Sequence, residues 1–173
     1  MTLGQMLLPE FDQEMASTRK ILACVPEDAA VFAWQPHEKS MTLGRLASHV
    51  AELPHWAVET MARETLEITP GQKPFLAASK AELLVAFEKN AAEARDAFAG
   101  ATDEQLGVEW SLIFGGHKVL TMPRFMVLRS AVMNHLIHHR AQLGVYLRLN
   151  QIAIPGTYGP SADDKAAFGA AGT

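Results

Sequence analysis

Apolar residues recur at helical spacing in four stretches of this 173-residue chain. The first runs from about Leu3 to Cys24, with Leu7, Phe11, Met15, Thr18 and Leu22 on one face. Pro9 lies early in it, and its missing N–H predicts that the regular helix starts near Glu10. A polar connection follows, VPEDAAVFAWQPHEKS, with two prolines and Trp34. The second helix is expected from about Thr42 to Glu67, capped by Ser40 or Thr42, with Leu43, Leu46, Val50, Leu53, Ala57 and Met61 as its stripe. Pro54 inside it predicts a kink or a break, and the loop ITPGQKPF ends it.

The third helix opens on Ser79-Lys80-Ala81-Glu82, the pattern of a capping box. Leu83, Leu84, Phe87, Ala91, Ala94 and Phe98 line its core face, and Gly100 is placed to stop it. Next comes VEWSLIFGGHKVLTM, where short β-prone runs flank Gly115-Gly116 and predict a two-stranded hairpin or an ordered loop. The fourth helix begins at Thr121 or Met122, with Pro123 in its first turn, and continues to about Asn150. At ~1.5 Å per residue it would reach roughly 40 Å. Residues 155–173, dense in Pro, Gly and Ala, predict an extended tail. The expectation is one all-α domain over residues 1–173, a four-helix bundle with a short β-hairpin between its third and fourth helices.

Composition narrows the field. Hydrophobic residues make up 49% and charged ones 20%, ordinary for a globular domain and too apolar for a disordered chain. The net charge of −4 comes without a basic stripe interleaved with aromatics, which argues against a nucleic-acid partner. No window approaches the roughly 18 apolar residues of a membrane span. The single cysteine, Cys24, can form no internal disulfide, and its apolar neighbours suggest burial. With an N-terminal stretch that turns acidic too soon for export, this predicts a cytoplasmic protein.

The candidate chemistry lies in NHLIHHRAQL, residues 134–143, which carries three of the seven histidines. Rotating by ~100° per residue from His135 puts Leu128 and Tyr146 near 20°, His139 near 40°, Val132 near 60° and Leu143 near 80°. His135 and His139 therefore fall within the apolar stripe, one turn apart, and can converge on one ion. His138 falls outside it, at the boundary or the surface. On the second helix His49 sits on the core-facing side with Leu46, Val50 and Leu53, whereas His55 points well away. Three unpaired imidazoles in an apolar interior would each cost ~1–3 kcal/mol. A divalent ion between them removes that cost, and three histidine nitrogens plus water are the pattern of an open, reactive site. Core histidines bonded to neighbours remain the bland alternative. A Ser-His or Cys-His nucleophile fits less well, because Ser48 points away from His49 and Cys24 has no evident base.

Three segments, EKSMTLGRLASHVAELPHW, NHLIHHRAQLGVYLRL and PGTYGPSADD, resemble the signature regions of the DinB family, within the wider DinB/YfiT-like superfamily. The resemblance covers nearly the whole chain, from Leu7 to Asp164. It implies a bundle in up-down-down-up order and a divalent metal, commonly nickel or zinc, on one histidine of the second helix and an H-x-x-x-H pair of the fourth. Those positions match His49, His135 and His139. Iron, manganese and copper stay open. Ala141 stands where the family often has Gly. Homodimerisation is implied as well.

Related proteins of the superfamily use low-molecular-weight thiols, so the implied activity is a thiol-dependent S-transferase acting on a small electrophile, in stress or detoxification. A metal-dependent hydrolase and a non-catalytic metal- or small-molecule-binding protein are the alternatives. Residues that could assist are Glu52, Gln142 and Tyr146, with Trp56 flanking His49. Arg140 is expected at the surface or anchoring the tail, and Trp34 and Trp110 in loops that rim a pocket.

Overall fold

A computed structural model of the protein describes residues 1–164. The part of the predicted tail in residues 165–173 lies outside the described residues. Helices dominate, but in more pieces than four, and a three-stranded sheet accompanies them.

Helix α1 spans Leu3–Ala23. Thr2 and Gln5 form a reciprocal capping box at its start, which corrects the expected onset near Glu10. Pro9 is tolerated inside the helix because it lies on the exposed face, where the carbonyl it leaves without a partner meets water. A short helix α2, Ala29–Ala33, interrupts the polar connection. Gly4 and Gly44 mark close approaches, since a Cβ would lie 2.3 Å from the Phe98 carbonyl oxygen and 2.1 Å from the Phe32 ring.

The second expected helix breaks at Pro54 into α3, Leu43–Glu52, and α4, His55–Ala62. Thr42 caps α3 through the Arg45 amide. The expected continuation to Glu67 is corrected: Thr65–Ile68 forms strand β1. Helix α5, Lys80–Gly100, is capped by Ser79 as expected. The Glu82 carboxylate accepts from Ala78 N–H, not from that of Ser79, so the box is not reciprocal. A one-turn helix α6, Asp103–Gly107, precedes the hairpin of β2, Glu109–Phe114, and β3, His117–Pro123. Strand β1 pairs with β2 in parallel, Thr65 opposite Ser111, so the sheet order is β1-β2-β3.

The fourth expected helix starts at Arg124, after Pro123, as α7, Arg124–Val127. It runs through a π-helical segment, Leu128–Asn134, into α8, His135–Leu149. One core joins these elements: Phe11, Leu22, Leu43, Leu46, Leu53, Leu83, Phe87, Phe98, Leu128 and Met133 are fully buried. Each such side chain contributes about 1.5–3 kcal/mol through removal from water. Phe11 and Phe98 stack with centroids 4.8 Å apart, fixing α1 against α5. Trp110 is buried on β2, 1% exposed, and corrects the expectation of a loop tryptophan at a rim.

Candidate metal centre

The break after Glu52 leaves His49 in the last turn of α3, facing α8, where His135 and His139 lie one turn apart. Their rings meet edge-on or tilted, with centroids 4.7–5.2 Å apart. His139 Nε2 is 2.9 Å from His135 Nε2, and His49 Nε2 is 3.4 Å from it. All three ligand-type nitrogens lie within 4.8 Å of one another.

The other nitrogen of each ring is occupied. His49 Nδ1 donates to Glu52 Oε1 at 2.9 Å, His139 Nδ1 to Gln142 Oε1 at 2.7 Å, and His135 Nδ1 to the Ala131 carbonyl at 3.2 Å. With the proton on Nδ1, a neutral imidazole has a bare lone pair at Nε2. Three lone pairs are thus turned on one another across 2.9–3.4 Å contacts, an arrangement that a cation relieves. Protonation is disfavoured at His135 and His139. Burial first, then the nearby His49, lowers the affinity of His135 for a proton. Burial, reinforced by His49, His135 and His138 and opposed by Gln142, brings His139 down to about 4. The residues therefore fit a divalent ion. Imidazole nitrogens ~2.0–2.1 Å from zinc in a tetrahedral set would stand about 3.4 Å apart, close to the spacing found.

These acceptors orient the rings, as outer partners of metal-bound histidines do. Glu52→Ala or Gln142→Ala, keeping all three histidines, is expected to weaken nickel or zinc binding about 10–100-fold, read by competition with a chromophoric chelator. The depressed proton affinities also set a pH dependence. In the unfolded chain a histidine takes up its proton near 6.5. Between about 6.5 and about 4 the unfolded state holds more protons than the folded one. Stability of the metal-free protein is then fully present above that window and declines as pH falls through it. Urea midpoints compared at about pH 7 and about pH 5 should drop further for the wild type than for His139→Gln.

Other candidates fall in different places. His138 is exposed, and His55 opens α4 beside Pro54, with its Nε2 3.3 Å from Glu59. Tyr146 does not reach the histidines; its ring packs edge-on against Trp34 at 5.6 Å. The Trp56 ring lies 6.0 Å from that of His135. Ser48 is committed to the Gly44 carbonyl and the Ala77 amide. Cys24 is only half-buried, and its thiol donates to the Lys20 carbonyl.

Arg140 is not at the surface, because α1 covers that side of α8. It is 3% exposed, and its Nη1 lies 2.6 Å from Glu14 Oε2. Its Nη2 donates to the Tyr158 hydroxyl, which donates to Glu14, so the tail-anchoring alternative holds. Glu14 was not singled out from the sequence, although a carboxylate one place from Met15 in an apolar stripe was the available signal. Also unforeseen was a cavity of about 510 Å³ bordered by His49, Glu52 and Trp56 on one side and by Arg63, Leu66 and Lys73 on the other. Its far wall is β1, whose first three residues the periodicity assigns to a helix, and the loop that follows.

The sequence model of the DinB family matches residues 2–170. No curated protein matches the chain significantly. Among solved structures, a DinB-like protein from Bacillus cereus shares 21% identity, covering 88% of this chain and 95% of that one, with a TM-score of 0.68. The DinB-like protein YjoA from Bacillus subtilis shares 18% identity over 88% and 97% of the two chains, with a TM-score of 0.63.

Proposed function

The chain belongs to the DinB family, and on that premise we propose that it is a divalent-metal-dependent thiol S-transferase acting on a small electrophile. The observation that carries the reading is the inward convergence of three bare Nε2 lone pairs, with every Nδ1 already engaged. His49, His135 and His139 would hold the ion, nickel or zinc by preference. When bound, such an ion supplies Lewis acidity that makes a thiol or a water more acidic near neutral pH.

Transfer is favoured over hydrolysis because Glu52, the acid that reaches the triad, is tied to both His49 Nδ1 and Arg45 Nη2. It is not free to serve as a general base. A thiol of pKa about 8.5 needs much less help to ionise than water at 15.7. In the reaction the thiol sulfur bonds to the electrophilic carbon. The bond to the leaving group breaks, the leaving group keeps the electron pair, and the thiol proton passes to solvent. The cavity beside His49 has room for a small substrate.

The same proposal takes α1, α3–α4, α5 and α7–α8 as one four-helix bundle in up-down-down-up order. The packing of α1 on α5 and α8, and of α3 on α5 and α8, supports it. It also places the protein in the cytoplasm as a homodimer that handles neither nucleic acid nor membrane. No helix among the described residues is long and apolar enough to cross a membrane.

To test the activity, the nickel- or zinc-loaded protein is mixed with a panel of small thiols and an activated aryl halide. Product that requires both thiol and metal is expected. Turnover of an activated ester without thiol would identify a hydrolase instead. Firm metal binding with neither reaction would identify a binding protein.

A further inference from the structure

Two of the three histidines are oriented by side chains, Glu52 and Gln142; the third, His135, has only the backbone. The source of that backbone group is the π-helical segment. In a regular α-helix the amide of residue i donates to the carbonyl of residue i−4. The His135 amide instead donates to the Ser130 and Val132 carbonyls, at i−5 and i−3, and passes over Ala131. The Ala131 carbonyl is the one that accepts from the His135 ring at 3.2 Å. Nδ1 of His135 has no other acceptor among the described residues, and its Nε2 faces His139 and His49.

We propose that the Ala131 carbonyl, passed over by the His135 amide in the π turn, is the positioning group that keeps the His135 proton on Nδ1 and presents Nε2 to the ion. The inference rests on the metal-site reading for its purpose but not for its geometry. Single-turn π insertions recur at functional sites, where they re-aim one residue without breaking the helix. Here the same insertion lets two faces stay in register. Leu128, Val132 and Met133 remain buried within it, and Leu136, Leu143 and Leu147 in the α-helix that follows. Removing one residue from the segment would turn the two halves by about 100° relative to each other, swinging either the upstream core residues or the histidine pair out of place.

The test weakens that one carbonyl. Incorporating the α-hydroxy analogue of Val132 converts the Ala131–Val132 amide into an ester, whose carbonyl is a poorer acceptor. The nitrogen-15 spectrum of the metal-free protein then reports which ring nitrogen of His135 carries the proton. Wild type is expected to show the Nδ1–H form at His135. The ester variant should gain the Nε2–H form at His135 but not at His139, and lose about 10–100-fold in nickel affinity. The same ester at Val145, on the exposed face of α8, should change neither. Wild-type His135 protonated on Nε2 would overturn the inference, even if the variant fails to fold. So would an ester variant with unaltered tautomer and affinity. If wild type binds no metal but the tautomer shifts as expected, the metal reading fails and the positioning role stands.

Discussion

Replacement of His49, His135 or His139 by alanine, one at a time, is expected to strip the protein of nickel or zinc, with affinity falling by more than about 100-fold. That exceeds the 10–100-fold range for outer partners, because each substitution removes a coordinating nitrogen and not merely its orienting bond. The remaining two imidazoles would keep their Nδ1 acceptors, so the loss isolates one Nε2. His138→Ala and His55→Ala serve as controls. His138 is exposed, its ring packed against that of His139 at 4.8 Å, and His55 is paired with Glu59. Elemental analysis after dialysis, together with titration calorimetry, checks all five proteins. Full metal content in all three single variants would refute the ligand set.

Arg140→Ala is expected to cost about 3–5 kcal/mol of stability. The guanidinium is 3% exposed and the Glu14 residue 4% exposed, so the truncation leaves a carboxylate buried without its cation. At roughly 2–4 °C per kcal/mol for a chain of this size, the melting temperature should fall by about 6–20 °C. Tyr158→Phe removes only a hydroxyl that bridges the pair and should cost about 1–3 kcal/mol. The double variant Glu14→Leu, Arg140→Met should be less damaged than Arg140→Ala, because it removes both charges together. Thermal denaturation of the metal-free proteins measures the series. An Arg140→Ala variant within about 1 kcal/mol of wild type would show that the pair is solvated in solution.

Much of this was legible from residue order. Apolar stripes on α1, α3, α5 and α8 mark the buried faces correctly, and Pro54 breaks its helix where proline chemistry requires. The triad was visible because helical rotation singles out His135 and His139 within one stripe and His49 within another. The repeated three-residue offset from His49 to Glu52 and from His139 to Gln142 was also there to be read. Other features were hidden for physical reasons. Strand β1 is four residues long and finds its partner β2 more than forty positions later, so no local pattern announces it. The π turn cannot be seen by extrapolating a constant rotation through Leu128–Asn134, since it is the place where that rotation changes. The surface alternative for Arg140 fails because one stripe per helix ignores the second neighbour that a bundled helix meets.

The parallel pairing of β1 with β2 has one more consequence. It splices the chain leaving the His49 arm to the hairpin that feeds the arm bearing His135 and His139. The two halves of the receptor are therefore pinned by backbone hydrogen bonds of the sheet before any ion arrives. Capture of the ion need not spend its affinity on gathering loose ligands, in contrast to small zinc domains that collapse when stripped. Chelation should accordingly empty the protein while its circular dichroism stays unchanged, as a socket survives removal of its plug.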